Sequence, residues 1–313
     1  MIPVEKKYLS SYFPAGLNKI YADLKFHADR IQGFKNLRAL FKKSLGYELN
    51  LHAPESYNEK IVWKKIYDRN PLLTLTADKY EVRSYVGEVL GNREAGKILI
   101  PLYHVTDNPA DIPFEELPET FVIKPNHGSK MHLIVKNNEK TSNAELIQIC
   151  RDWLKFNYGF YQYEWAYRNI KRKIIVEQLL QEEDGSLPVD YKLYCFHGNC
   201  KYIRVSKNRF GKSDISAYFD PEWNFFPVCN PGYPAAKDPF KKPENLRDII
   251  ILSEKLSEKF DSVRVDLFNC NNRIYFGELT HYDASGMGRY EPESFDFEMG
   301  AHWKVQKKYW LNK

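Results

Sequence analysis

The sequence predicts a mixed α+β protein in which antiparallel hairpins carry the polar chemistry and amphipathic helices cover them. Three observations lead there. Val263 to Phe268 and Ile274 to Thr280 alternate in β-forming residues around the turn-prone cluster Asn269-Cys270-Asn271-Asn272. A second pair, Asp190 to Phe196 and Cys200 to Ser206, turns at His197-Gly198-Asn199. Between such pairs lie helical stretches, among them Ala144 to about Phe156 and Pro243 to Phe260, with apolar residues at helical spacing.

The remaining elements follow in chain order. Lys19 to Leu45 carries Ile20, Leu24, Ile31, Phe34, Leu37, Leu40 and Phe41 largely at helical spacings. Tyr57 to Tyr67 is helical and stopped by Asn70-Pro71. A helix to about Leu90 follows Thr76 to Tyr80 and ends at Gly91-Asn92. Ile98 to Val105 reads as a short buried strand, and Asn108 to Pro118 as a connection. Thr120 to Lys124 and Met131 to Lys136 are strands joined by Pro125-Asn126-His127-Gly128-Ser129-Lys130. Such a loop can present backbone N–H groups to phosphate. It is not a Walker A loop, which needs GxxxxGK[ST] before a helix. The aromatic stretch Tyr158 to Tyr167 reads as core or groove wall. Lys173 to Leu180 is a strand ending at an exposed turn. Strand pieces at Ala217 to Phe219 and Asn224 to Val228 frame Asp220-Pro221. Five prolines then fall between Pro227 and Pro243, a loop of the length that is usually functional or disordered.

Composition narrows the function classes. The chain has 313 residues, 43% hydrophobic and 15% aromatic, enough for a sizeable core. No apolar run reaches transmembrane length, and Met1 to Gly16 lacks the apolar region of a signal peptide. Five cysteines without a CxxC pair point to reduced thiols and a cytoplasmic home. The eight histidines show no HExxH spacing. Residues 1–50 hold nine basic and four acidic side chains, so the whole net charge of +5 sits there. A basic amphipathic segment of this kind can lie on a membrane surface or meet an acidic polymer. The plainer reading, which the sequence favours, is a helix packed on the main domain with its lysines in water. No nucleic-acid-binding motif accompanies the charge.

The hairpin at 263–280 concentrates the chemistry. Side chains two apart share a face, so Arg264, Asp266 and Phe268 point one way. Ile274, Phe276, Glu278 and Thr280 are expected to share a face on the return strand. With residue 268 opposite 276, Asp266 falls opposite Glu278. Two carboxylates facing each other are unfavourable unless something neutralises them. A hard divalent cation would do so, since magnesium in phosphate sites takes one or two carboxylates plus phosphate oxygens. A solvated surface hairpin is the bland alternative.

Taken in order, Asp78-Lys79, VIKP at 122–125 with Gly128-Ser129, IVEQLL at 175–180, Asp190-Tyr191-Lys192, and Arg264-Val265-Asp266 with Gly277-Glu278-Leu279-Thr280 resemble an ATP-grasp enzyme. Within that superfamily they most resemble the amidoligase-like branch named for the teichuronopeptide-biosynthesis protein, over roughly residues 57 to 305. The resemblance implies the ATP-grasp fold, in which two α+β subdomains grip ATP. It divides the chain into a basic helical extension (1–56), a region preceding the grasp (57–118), a first subdomain (119–186) and a second (187–313). It implies that Lys79 and Lys124 contact the nucleotide phosphates, and that His127, Gly128 and Ser129 form the loop over the triphosphate. Glu177, Gln178 and Leu180 match the hinge that reads adenine, and Asp190 and Lys192 the ribose and phosphate contacts. Asp266 and Glu278 match the magnesium carboxylates, and Arg264 the arginine that steadies the transferring phosphoryl group. Thr280 stands where the family usually has Asn, which leaves open whether one Mg2+ ion or two are held. The implied activity is ATP-dependent ligation of a carboxylate to an amine. The acid would be a uronic acid of a bacterial surface polysaccharide or its precursor and the amine an amino acid, or the amino acid would instead supply the carboxylate. A kinase acting on a sugar hydroxyl would use the same ATP site. A glycosyltransferase is the other alternative, although no DxD motif is present.

Overall fold

The computed structural model describes residues 15–136, 141–207, 215–231 and 240–311. The expectations for residues 1–14 and for the middle of the proline-rich loop, 232–239, lie outside them. In chain order the helices are α1 (Ala15–Ile31), α2 (Lys35–Leu45), α3 (Tyr57–Tyr67), α4 (Pro71–Ala77), α5 (Val82–Leu90), α6 (Asn92–Ile98), α7 (Asn143–Lys155), α8 (Tyr158–Tyr161), α9 (Leu246–Ser257) and α10 (Ser294–Ala301). The strands are β1 (Leu102–Thr106), β2 (Thr120–Pro125), β3 (Leu133–Lys136), β4 (Ile174–Gln178), β5 (Val189–Phe196), β6 (Asn199–Lys207), β7 (Ile215–Phe219), β8 (Phe225–Phe226), β9 (Ser262–Cys270) and β10 (Arg273–Thr280). They form a four-stranded sheet in the order β1-β4-β2-β3 and a six-stranded sheet in the order β10-β9-β5-β6-β7-β8. All the strand pairs within both sheets are antiparallel, in keeping with the α+β class read from the sequence.

The two faces of the six-stranded sheet differ in chemistry because the alternation runs in phase across it. Leu193, Ile203, Val205, Ala217, Val263, Val265, Leu267, Phe276 and Leu279 are buried in one large core, together with Leu246, Ile249 and Leu256 of α9. On the opposite face, strand register sets Glu278 beside Asp266, Asp266 beside Lys192, Lys192 beside Arg204, and Arg204 beside Tyr218. The next row holds Thr280, Arg264 and Tyr194. Residues paired across antiparallel strands share a face, so the polar groups line up across five neighbouring strands, from β10 at the edge to β7. The four-stranded sheet has a separate core of Phe121, Ile123, Ile174 and Val176 under Cys150 and Trp153 of α7. The α7 N-terminus is closed by a capping box from Ser142 and Glu145.

Several local expectations need correction. Pro71 does not merely stop α3: with Asn70 accepting from Leu72 N it opens α4 at the first helical position. The stretch 98–105 is not one buried strand. Ile98 ends α6, and β1 starts only at Leu102 and is half-exposed. The segment Lys19 to Leu45 is two helices, broken at Gly33-Phe34, both with positive φ. The β9–β10 loop is tight because Asn271 and Asn272 both adopt φ near +50° to +60° (49° and 59°), as a two-residue hairpin turn requires. Phe268 therefore faces Tyr275, not Phe276. A bulge between Phe276 and Glu278 then shifts the register by one, so that Glu278 does face Asp266. Phe276 consequently lies on the apolar face, opposite Leu267, and does not share a face with Glu278. A Cβ on Gly277 would sit 3.0 Å from the Asp266 carbonyl oxygen, which explains a glycine in the bulge.

Candidate active site

Arg264 is the centre of the polar face. Its Nε and one terminal nitrogen donate to the two carboxylate oxygens of Asp266 at 2.7 and 2.6 Å, a bidentate fork. The same terminal nitrogen reaches Thr280 Oγ1 at 3.1 Å and lies 4.0 Å from Glu278 Oε1. The other terminal nitrogen donates to Asp283. Arg264 and Asp266 side chains are 8% and 4% exposed, so water contributes little to either charge. Burial works against the Arg264 charge, but Asp266 and Asp283 outweigh it and push its pKa up. Burial pushes the Asp266 carboxyl above the usual range, with Arg264 and Lys192 opposing.

Asp283 is a partner that sequence reasoning missed. It opens the turn Asp283–Gly286 just beyond β10, and its other oxygen accepts from the Tyr194 hydroxyl at 3.1 Å. The turn is fixed from below by α3. Lys65 Nζ donates to Ser285 O and Oγ at 2.6 and 2.9 Å. Asn58 Oδ1 accepts from Gly288 N at 3.1 Å. Ala284 and Ser285 hold positive φ, a costly conformation that these contacts maintain. The only signal in the sequence was an acid three residues past the strand, too weak to single out.

The other matched cations also meet acids of the same set. Lys79 Nζ lies 2.8 Å from Glu278 Oε2 and donates to Gly128 O at 2.9 Å. It therefore joins the 125–130 loop to the β9–β10 hairpin. Lys124 on β2 pairs with Glu177 on β4, and Lys192 with Asp190 two residues earlier on β5. Thr280 Oγ1 donates to Glu278 Oε1 at 3.2 Å. The segment carrying Lys79 is set by Asp78 and Asn126. Asp78 accepts from Tyr80 N and Asn126 Nδ2 at 2.8 and 2.9 Å, and Lys79 N donates to Asn126 O at 2.9 Å.

The loop residues divide. Gly128 has φ +92°, and a Cβ there would sit 2.8 Å from the Tyr158 ring; Ser129 is exposed. His127 turns inward instead: its ring is buried, with Nε2 3.1 Å from Phe156 O and Nδ1 3.4 Å from Asn126 Oδ1. Burial, and next the nearby Arg172 charge, push its pKa down to about 4. It is neutral at neutral pH and supports the loop from beneath. At the hinge, Gln178 N donates to Pro101 O at 3.0 Å. Leu180 packs with Ile100 and Cys270, flanked by Phe268 and Tyr275. This apolar patch borders the polar face, since Phe268 pairs with Asp190.

Among the described residues no three His, Cys, Asp or Glu side chains form a complete metal cage. The donor set nevertheless fits magnesium, which in phosphate sites needs only one or two carboxylates and takes its other oxygens from phosphate and water. Asp266, Glu278 and the Thr280 hydroxyl are all hard oxygen donors clustered within reach of one guanidinium.

Among curated proteins no match was found. Solved structures similar to this chain include D-alanine–D-alanine ligase from Bacillus anthracis, at 17% identity over 74% of this chain and 68% of that one, with a TM-score of 0.41. The D-alanine–D-alanine ligase from Helicobacter pylori is 16% identical over 80% of this chain and 70% of that one, with a TM-score of 0.42. An L-amino acid ligase from Bacillus licheniformis is 17% identical over 71% of this chain and 45% of that one, with a TM-score of 0.40. The TupA-like ATP-grasp family matches residues 59–304, which include every candidate residue described above, and the chain belongs to that family.

Proposed function

We propose that the chain is an ATP- and magnesium-dependent ligase that joins a carboxylate to an amine through an acyl phosphate. The observation that carries the reading is the buried Arg264 forked on Asp266, with Glu278, Thr280 and Lys79 around it. A carboxylate does not react with an amine at neutral pH because its oxygen leaves badly. Transfer of a phosphoryl group to that oxygen breaks the bond to ADP and creates a phosphate leaving group. Attack by the amine nitrogen on the carbonyl carbon then expels phosphate, and the nitrogen loses its proton.

The work left to the protein is positioning and charge neutralisation. Lys79 and Lys124 hold the phosphates, with Gly128 and Ser129 closing over them. Leu180, beside Glu177 and Gln178, offers adenine an apolar wall, and Asp190 and Lys192 hold the ribose and a phosphate. Arg264 stabilises charge on the phosphoryl group in flight. Asp266, Glu278 and Thr280 would hold magnesium, which when bound neutralises phosphate charge. Before nucleotide binds, the lysines and the arginine keep the acids neutralised, so binding exchanges one set of ion pairs for another. We assign a uronic acid of a surface polysaccharide, or its precursor, as the acid and an amino acid as the amine.

The test is ADP release with a panel of uronic acids and amino acids, with and without hydroxylamine. Release that needs both an acid and an amine, with a hydroxamate formed in hydroxylamine, supports the reading. A product that keeps the γ-phosphate on a hydroxyl overturns it in favour of a kinase.

A further inference from the structure

The two N-terminal helices treat their apolar residues differently. In α2, Leu37, Phe41 and Leu45 are buried, as the packing reading expects. In α1, Ile20, Leu24 and Ile31 are 60%, 66% and 87% exposed. These three fall on one stripe of a helix of 3.6-residue period, and Tyr21, 67% exposed, borders it. The opposite side of α1 holds the helix to the body. Phe26 packs edge-on against Tyr163 and tilted against Phe34, Asp29 accepts from the Tyr163 hydroxyl, and Asp23 meets Arg168 at 3.4 Å. The attachment itself therefore turns the apolar stripe outward.

The same attachment sorts the charges. Both acids of α1 are committed to the body, while Lys25 on α1 and Lys35 and Lys43 on α2 are exposed. An exposed apolar stripe on a segment that also exposes lysines fits the boundary between anionic headgroups and acyl chains. It suits an acidic polysaccharide poorly, because a polyanion has no use for Ile20, Leu24 and Ile31. None of the described helices is long and apolar enough to cross a membrane. We infer that α1 lies in the surface of an anionic membrane through Ile20, Leu24 and Ile31 and holds the rest of the chain against it. This does not depend on the ligase reading.

Flotation of the full chain with vesicles tests it, using phosphatidylcholine alone or with about one-third phosphatidylglycerol, across a salt series. The wild type floats with the anionic vesicles, less with the neutral ones, and less as salt rises. Ile20→Ser/Leu24→Ser/Ile31→Ser weakens binding by more than about tenfold, with an unchanged melting temperature because all three side chains are exposed. Lys25→Glu/Lys35→Glu weakens it by about fivefold or more per charge. Wild-type chain that stays with neither vesicle overturns the inference, as does a triple serine variant that binds like the wild type. A wild-type dimer in sedimentation equilibrium that the triple variant loses, without vesicle binding, assigns the stripe to a second copy and also overturns it.

Discussion

Replacing Arg264 by Met keeps the volume and removes the charge, and the structure sets the consequence. Arg264 donates twice to Asp266, once to Asp283 and once to Thr280. Its loss leaves a carboxylate that is only 4% exposed without its bidentate partner. Breaking a buried pair from one side costs about 3–5 kcal/mol, mostly the penalty of the stranded charge. That penalty depends on pH in a definite direction. Burial already raises the Asp266 pKa, and Arg264 is the main force opposing it. Without Arg264 the folded-state pKa climbs further above the unfolded value. The folded variant then binds a proton more readily than the unfolded chain, so its stability rises as pH falls through that pKa. Urea unfolding followed by circular dichroism should show the full loss at pH 8 and a smaller one at pH 5. Arg264→Met/Asp266→Asn, which strands no charge at this pair, should recover about 2 kcal/mol of the loss at pH 8. Equal losses in the single and double variants at every pH would show that no stranded Asp266 charge is at work.

Further outcomes follow from the same geometry. Lys79 is held by Glu278 at 2.8 Å, so Glu278→Gln should free it. Calorimetry in EDTA should then show ATP binding about two- to fivefold tighter than wild type, and weaker than wild type once magnesium is added. Lys79→Ala and Lys124→Ala should each weaken ATP binding by about 1.5–3 kcal/mol. His127 has its pKa lowered from 6.5 to about 4, so the unfolded chain takes up its proton first. Stability should fall as pH drops from 6.5 toward 4, by up to about 3 kcal/mol from this residue. An NMR titration should place the His127 midpoint below 5, and a midpoint near 6.5 would contradict its burial.

The strands and most helices were legible because each carries its own period and its own stop signals: α3 ends where Asn70-Pro71 says, and β5–β6 turns where His197-Gly198 says. The Asp266–Glu278 pairing was reached through a register that does not hold at Phe268. A tight Asn271-Asn272 turn and the Gly277 bulge are two offsets of one residue that cancel at the carboxylates. Asp283 was out of reach because its role depends on a turn held by Lys65 and Asn58, more than two hundred positions away. The inward turn of His127 was equally hidden, since its burial, the Arg172 charge and the Phe156 carbonyl beside it depend on another part of the chain. The sequence held the cations and the acids of the site but not that they would neutralise one another, because Lys124 meets Glu177 only once β2 pairs with β4, and Lys79 meets Glu278 only once its segment is brought to β10.

In the proposed reaction phosphate leaves with an oxygen that came from the carboxylate. An acid substrate labelled with heavy oxygen in its carboxylate tests it most directly. Once a turnover-supporting acid and amine are in hand, mass spectrometry of the released phosphate should find one labelled oxygen per turnover, and the amide should have lost it. Released phosphate without label, or a phosphorylated product with the carboxylate label intact, would contradict the account.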